Sequence, residues 1–182
     1  MKTSAVMLVV FAFITLAAIL GLTIPGLFKF NVGNFKPFFI FPASSLVLAI
    51  FLIAETFFGW ETATFLAEET KDGQRVMPKA LIWGTVIIAI ICILFVVTSL
   101  GVMPWNIFGS SATPLTDLGI LHYGGLGGDI FTILVYLAII GSVAGWVVSA
   151  PRLLLAMAKD KLFLDHFAKI HKKNLTPHQA IL

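Results

Sequence analysis

One cysteine, Cys92, occurs in 182 residues. A single thiol excludes an intramolecular disulfide framework and any cysteine-based metal cluster. Charge is scarce as well. Only 12% of the residues are Asp, Glu, Lys or Arg, against about 25% in a soluble domain. The apolar share is 59% and the mean hydropathy is +1.01. These shortages exclude an ordinary cytosolic domain and a disordered chain. A nucleic-acid binder is excluded too, although the pI is about 9.1. There are only twelve Lys and Arg, and six of them lie from Arg152 onward. His122, His166, His171 and His178 show no metal-ligand spacing, so no metal and no other cofactor is expected. The expected partner is the lipid bilayer.

A bilayer core about 30 Å thick needs ~20 apolar helical residues. Four stretches meet that length: 3–24, 43–67, 80–102 and 129–158, followed by a tail over 159–182. The expectation is therefore all-α, with polytopic transmembrane helices in a single membrane domain. Pro25-Gly26 is expected to stop the first helix, and Pro104 to end the third near Val102. The fourth stretch is roughly 45 Å long as a helix. It must tilt, kink at Pro151 or protrude. Met1-Lys2 before an apolar run resembles a signal peptide. The run exceeds the usual apolar region of about 7–15 residues and no small-x-small site follows it, so it is expected to remain as a span.

Lys and Arg on alternate sides of these spans sum to ten against two. By the positive-inside rule the N-terminus and the tail are cytoplasmic, and the loop over 103–128 lies outside. The first loop holds Phe28, Phe30, Phe35, Phe38, Phe39 and Phe41, which reads as an interfacial aromatic belt. The tail after Phe163 is short, basic and amphipathic, and reads as a solvated connector touching anionic headgroups.

Chemistry concentrates in the second stretch. Glu55 lies about 18 Å along a helix from Ala43, near the bilayer midplane. An ionisable group there costs at least ~2.5–3.5 kcal/mol to insert and is by default a functional candidate. Glu61 follows six residues later, on a clearly different helical face at about 100° per residue. Gly59 between them weakens the helix by roughly 1 kcal/mol relative to Ala. Two readings of the spacing stay open. One is a continuous helix with protonated or paired glutamates. The other is a broken helix, tolerated in a membrane only where it lines a cavity or is buried in protein. An amino acid zwitterion suits such a break, because its carboxylate takes backbone N–H groups and its ammonium takes backbone C=O groups. In the fourth stretch, Gly141-Ser-Val-Ala-Gly145 is a small-residue face that permits close helix packing. Trp146 follows about 9 Å inside Arg152, deep for a belt tryptophan. Belt or core packing and a functional role both remain open for it.

From Glu61 the chain reads Glu-Thr-Ala-Thr-Phe-Leu-Ala-Glu-Glu-Thr-Lys-Asp-Gly-Gln-Arg-Val-Met-Pro-Lys-Ala80. This resembles the sixth helix and following cytoplasmic loop of amino acid permeases of the amino acid–polyamine–organocation superfamily. Arg152-Leu-Leu-Leu-Ala-Met-Ala-Lys-Asp160, then Phe167-Ala-Lys-Ile-His171 and Thr176-Pro177, resembles the end of their eighth helix and the loop beyond. The resemblance covers essentially the whole chain, as helices five to eight. It implies part of a LeuT-like fold of two inverted five-helix repeats, with the first and sixth helices broken at midmembrane and substrate between the breaks. The break here is expected near Phe58-Gly59.

Carried over residue by residue, Phe58 and Gly59 match the unwound segment whose carbonyls hold the substrate ammonium, and Thr56 and Trp60 flank them. Glu55 falls where the arginine/agmatine antiporter of the family has a gating tryptophan. A carboxylate there is a departure that favours a cationic substrate or a bound proton. Glu61 matches a recurrent acidic position after the break and is the proton-coupling or gating candidate. Trp146 matches an eighth-helix tryptophan beside the substrate side chain, with a cation–π role if the substrate is basic. Other departures are Ile14 where some members carry a buried lysine, Gly73 where proline is frequent, and Lys161 and Leu164 where glycine and proline are usual.

The resemblance implies secondary transport of an amino acid or related organic cation by alternating access, in the cell membrane. The chain then forms an incomplete piece of a permease, partnered by the remaining helices. The alternative is a small four-helix membrane subunit that scaffolds or regulates a partner. A membrane hydrolase using Glu55 and Glu61 lacks a metal-ligand spacing or a nucleophile–base pair, so no enzyme is expected.

Overall fold

The computed structural model describes residues 2–55, 64–65 and 70–170, and their regular structure is helical. Six α-helices follow in order: α1 Lys2–Phe28, α2 Ala43–Glu55, α3 Gly73–Val102, α4 Trp105–Ser110, α5 Pro114–Tyr123 and α6 Gly125–Lys159. Three are long and apolar enough to cross a membrane, over Ser4–Phe28, Gly73–Val102 and Gly125–Lys159. The described residues divide into two compact units. One comprises Met1–Leu48 and Gly84–Gly141, and the other Ala49–Trp83 and Ser142–Leu182.

Proline did not act at Pro25 as the sequence suggests. Pro25 lies inside α1, which runs on to Phe28. Proline lacks the N–H that would bond the carbonyl four residues back, here that of Gly21. The Tyr123 hydroxyl supplies the missing donor to Gly21 O at 2.7 Å, so the helix passes its proline with that carbonyl satisfied. Pro151 likewise lies inside α6, which continues to Lys159. In contrast, α3 ends at Val102, two residues before Pro104.

In the first unit Ala18 and Leu22 of α1, Met103, Leu118 of α5 and Phe131 of α6 form the buried core. Phe95, Val102, Phe108, Leu115 and Leu134 pack around them. Two glycines make room for Phe131. A Cβ at Gly119 would lie 2.8 Å from its ring, and one at Gly21 would lie 3.1 Å from it. Closer to the C-terminus of α1, a Cβ at Gly26 would lie 3.1 Å from the Cβ of Thr98 on α3.

The chain leaving α1 is tied to the end of α3. Orphan carbonyls at a helix C-terminus need outside donors. The carbonyl of Gly101 receives the Asn31 amide at 2.9 Å and the Asn34 side-chain amide at 2.8 Å. The Phe30 ring lies over Gly101, where a Cβ would sit 2.2 Å from it. Within the helices, hydroxyls turn inward to their own backbone. Thr15, Thr23, Thr98, Thr132 and Ser149 each donate to the carbonyl four residues earlier, at 2.7–2.9 Å.

The second unit contains the C-terminal part of α6 and its stop. Leu162 N–H bonds the Met157 carbonyl at 2.8 Å and Lys161 N–H bonds that of Ala158 at 3.2 Å. This 6→1 and 5→2 pair is a Schellman closure, which places its penultimate residue in the left-handed region. Lys161 occupies that place, with φ 59°.

Candidate functional site

Thr56, Phe58, Gly59, Trp60 and Glu61 lie outside the described residues. Glu55 is the last residue of α2, and its side chain lies outside the description too. The backbone at Glu55 falls in the same compact unit as Trp146.

Trp146 sits on α6 and is 48% exposed. Along α6 the buried residues nearby are Ser149, Pro151, Leu155 and Ala158. At about 100° per residue, the nine steps from Trp146 to Leu155 put the two on opposite faces. The indole therefore faces away from the side of α6 on which Leu155 is buried. One turn on, Ser149 Oγ donates to the Gly145 carbonyl at 2.7 Å, and the Arg152 guanidinium donates to that of Val148. The small-residue face is used at its start. A Cβ at Gly141 would lie 2.7 Å from the Cβ of Phe11 on α1, so the absence of a side chain permits that approach.

A second polar locus was missed in the sequence. The segment between the third and fourth apolar stretches holds α4 and α5, not plain loop. The signals for α5 were Pro114 in its first turn, Asp117 near its start and Gly124 after its end. These suit helix start and stop positions. Its N-terminal side is fastened by a hydrogen bond from Ser111 Oγ to Asp117, and Thr113 N–H bonds Ser111 Oγ at 3.0 Å. Thr116 of α5 and Thr132 of α6 share a hydrogen bond of 2.8 Å.

At the far end of α5, Lys29 Nζ donates to the Leu121 carbonyl at 2.8 Å and approaches that of His122 at 3.5 Å. His122 is partly buried, and its Nδ1 is buried without a hydrogen-bond partner among the described residues. Burial, and then the neighbouring charge of Lys29, hold the imidazole below its ordinary pKa. Tyr123 stacks on Phe131 with ring centroids 5.7 Å apart, which aims its hydroxyl at Gly21.

The aromatic loop borders an apolar cavity of about 240 Å³, lined by Asn34, Phe35, Pro37, Phe38, Ile40, Phe41, Leu100 and Trp105. Phe41 and Trp105 meet edge to face at 5.9 Å. Phe38 and Phe39 are 72% and 85% exposed, a wide apolar surface next to this cavity. Among the described residues no three His, Cys, Asp or Glu side chains converge as a metal ion would need.

The family model described as amino acid permease matches residues 1–182. The serine/threonine exchanger SteT of Bacillus subtilis is 28% identical over 128 residues, covering 68% of this chain and 29% of the exchanger. The branched-chain amino acid permease BcaP of the same organism is 25% identical over 157 residues, 81% of this chain and 32% of the permease. A putative arginine/ornithine antiporter, also from Bacillus subtilis, is 28% identical over 173 residues, 87% of this chain and 36% of the antiporter. The chain thus spans 29–36% of the length of these curated relatives. No solved structure matches it.

Proposed function

Since this chain belongs to the amino acid permease family, we propose that it forms part of a secondary active transporter for amino acids or related organic cations, working by alternating access. The observation that carries this is the family match along all 182 residues. Three helices long and apolar enough to cross a bilayer agree with it. The proposed architecture is LeuT-like, with these residues contributing helices five to eight and the remaining helices of the permease completing the substrate site. In it, residues 43–67 form a fourth span, broken near Phe58-Gly59.

The proposed substrate contacts are Glu55, Thr56, Phe58, Gly59, Trp60 and Trp146, with Glu61 coupling protons or gating. Relatives named for serine and threonine, for branched-chain residues and for arginine and ornithine share the α-amino acid unit. Backbone at a helix break recognises that unit without regard to side chain, and the aromatic wall of Trp146 then sorts the side chains. The ten-to-two bias of Lys and Arg between the two sides supports a cytoplasmic N-terminus and tail in the cell membrane.

The test uses the natural protein that carries these residues, reconstituted in liposomes with radiolabelled serine, leucine and arginine. Gly59→Leu should insert normally yet abolish binding, because it restores helical propensity and fills the space the substrate needs. Glu61→Gln should flatten the pH dependence of uptake while leaving some binding. Trp146→Leu should change the order of preference among the three substrates. Unchanged affinity in Gly59→Leu would remove the second stretch from the site.

A further inference from the structure

We propose that Lys29 and His122 form a proton-sensitive latch that holds α5 against the end of α1. The last carbonyls of a helix have no partner within it. At the end of α5 the Lys29 ammonium serves the Leu121 carbonyl at 2.8 Å, where a cation also suits the helix dipole. His122 follows in sequence, partly buried, with Lys29 Nζ 3.5 Å from its carbonyl. Its neutral imidazole tolerates the site, with the proton on Nε2 and Nδ1 left as an unused acceptor. The imidazolium does not. Its Nδ1 becomes an N–H donor with no acceptor among the described residues, and its charge adds to that of Lys29.

Neighbouring groups do not offset this. Asp117 on the same helix accepts from Ser111. The Tyr123 ring meets His122 nearly edge-on at 6.1 Å, and its hydroxyl is engaged by Gly21 O. Asp129, in the second turn of α6, is exposed. Lys29, from the α1 side, is the charge that acts on His122.

The sign follows from linkage. The docked form lowers the imidazole pKa from 6.5, so it binds fewer protons than the undocked form. Docking is favoured fully above 6.5 and weakens as the pH falls through the lowered value. Acid thus frees α5 from α1. On the orientation proposed above, the latch responds to protons outside the cell. Its geometry does not depend on the transport reading, because none of its residues belongs to the proposed substrate site.

Hydrogen exchange in the natural protein that carries these residues, held in lipid nanodiscs at about pH 7.5 and 5.5, tests the latch at about one unit either side of the ordinary imidazole range. After correction for intrinsic amide chemistry, exchange in α5 should rise several-fold at the lower pH. His122→Gln, neutral throughout, should lose that rise. A second measurement is independent of that variant's fold. Histidine 13C NMR should show the His122 midpoint moving to higher pH in Lys29→Met, as one of its two depressing causes is removed. An acid-induced rise that survives in His122→Gln, or a His122 midpoint indifferent to Lys29→Met, would overturn the latch.

Discussion

The hydroxyl of Tyr123 donates to the carbonyl of Gly21 at 2.7 Å, the carbonyl that Pro25, four residues on, has no N–H to reach. A residue 102 positions away therefore completes the hydrogen bonding of α1 around its proline. The same tyrosine stacks on Phe131, so the core of the first unit fixes the donor that α1 requires.

Tyr123→Phe keeps the ring and removes only the donor. It should destabilise the first unit by about 1 kcal/mol, measured by SDS titration in mixed micelles. Pro25→Ala restores an N–H that competes for Gly21 O. In that background the cost of Tyr123→Phe should shrink, and a double-mutant cycle reads the coupling. Full additivity would mean that the hydroxyl does not serve the proline gap.

Lys161→Gly should stabilise the end of α6 by about 1 kcal/mol, because glycine occupies the left-handed region without the Cβ conflict. The check is slower hydrogen exchange at the Leu162 amide, whose bond to Met157 O closes the helix. Faster exchange would contradict the prediction.

Gly101→Leu places a side chain where the Phe30 ring now lies. Overpacking of this kind costs roughly 1–3 kcal/mol. The displaced segment should lose its Asn31 and Asn34 bonds to Gly101 O, and trypsin should cut faster after Lys29. Adding Phe30→Ala should restore part of the protection.

Cysteines introduced singly at Ser110 and Gln74, in a Cys92→Ser background, report orientation. Both positions are exposed. An impermeant thiol reagent applied to intact cells should label position 110 and leave position 74 unlabelled, by the positive-inside rule. The opposite pattern would reverse the proposed topology.

Much of the helical framework was legible because apolar run length is a local property. Long uncharged stretches announced the three long helices, and Pro104 announced the end of α3. The ends were less legible. α3 starts at Gly73, several residues before the apolar stretch, since charged Arg75 and Lys79 fit a helix as well as a loop. Pro25 misled because its compensation comes from Tyr123, far along the chain. α5 went unnoticed because ten residues give too few turns for a pattern, although Pro114 and Gly124 marked its limits. Lys161 stood out against the family as a lysine where glycine is usual, and its positive φ supplies the physical reason for that glycine. For the candidate site, the geometry of Trp146 is described, while Thr56, Phe58, Gly59, Trp60 and Glu61 lie outside the described residues.

The hydroxyls of Thr15, Thr23, Thr98, Thr132 and Ser149, each turned back on its own helix, bear on how these segments enter a bilayer. A hydroxyl already bonded to the preceding turn crosses into hydrocarbon with its proton engaged, so dehydration costs less than its residue type implies. The same bond leaves that proton unavailable to a passing helix. Neighbours that assemble beside these segments are therefore selected by fit, into notches such as those at Gly26 and Gly141, rather than by hydrogen bonds donated from these five side chains.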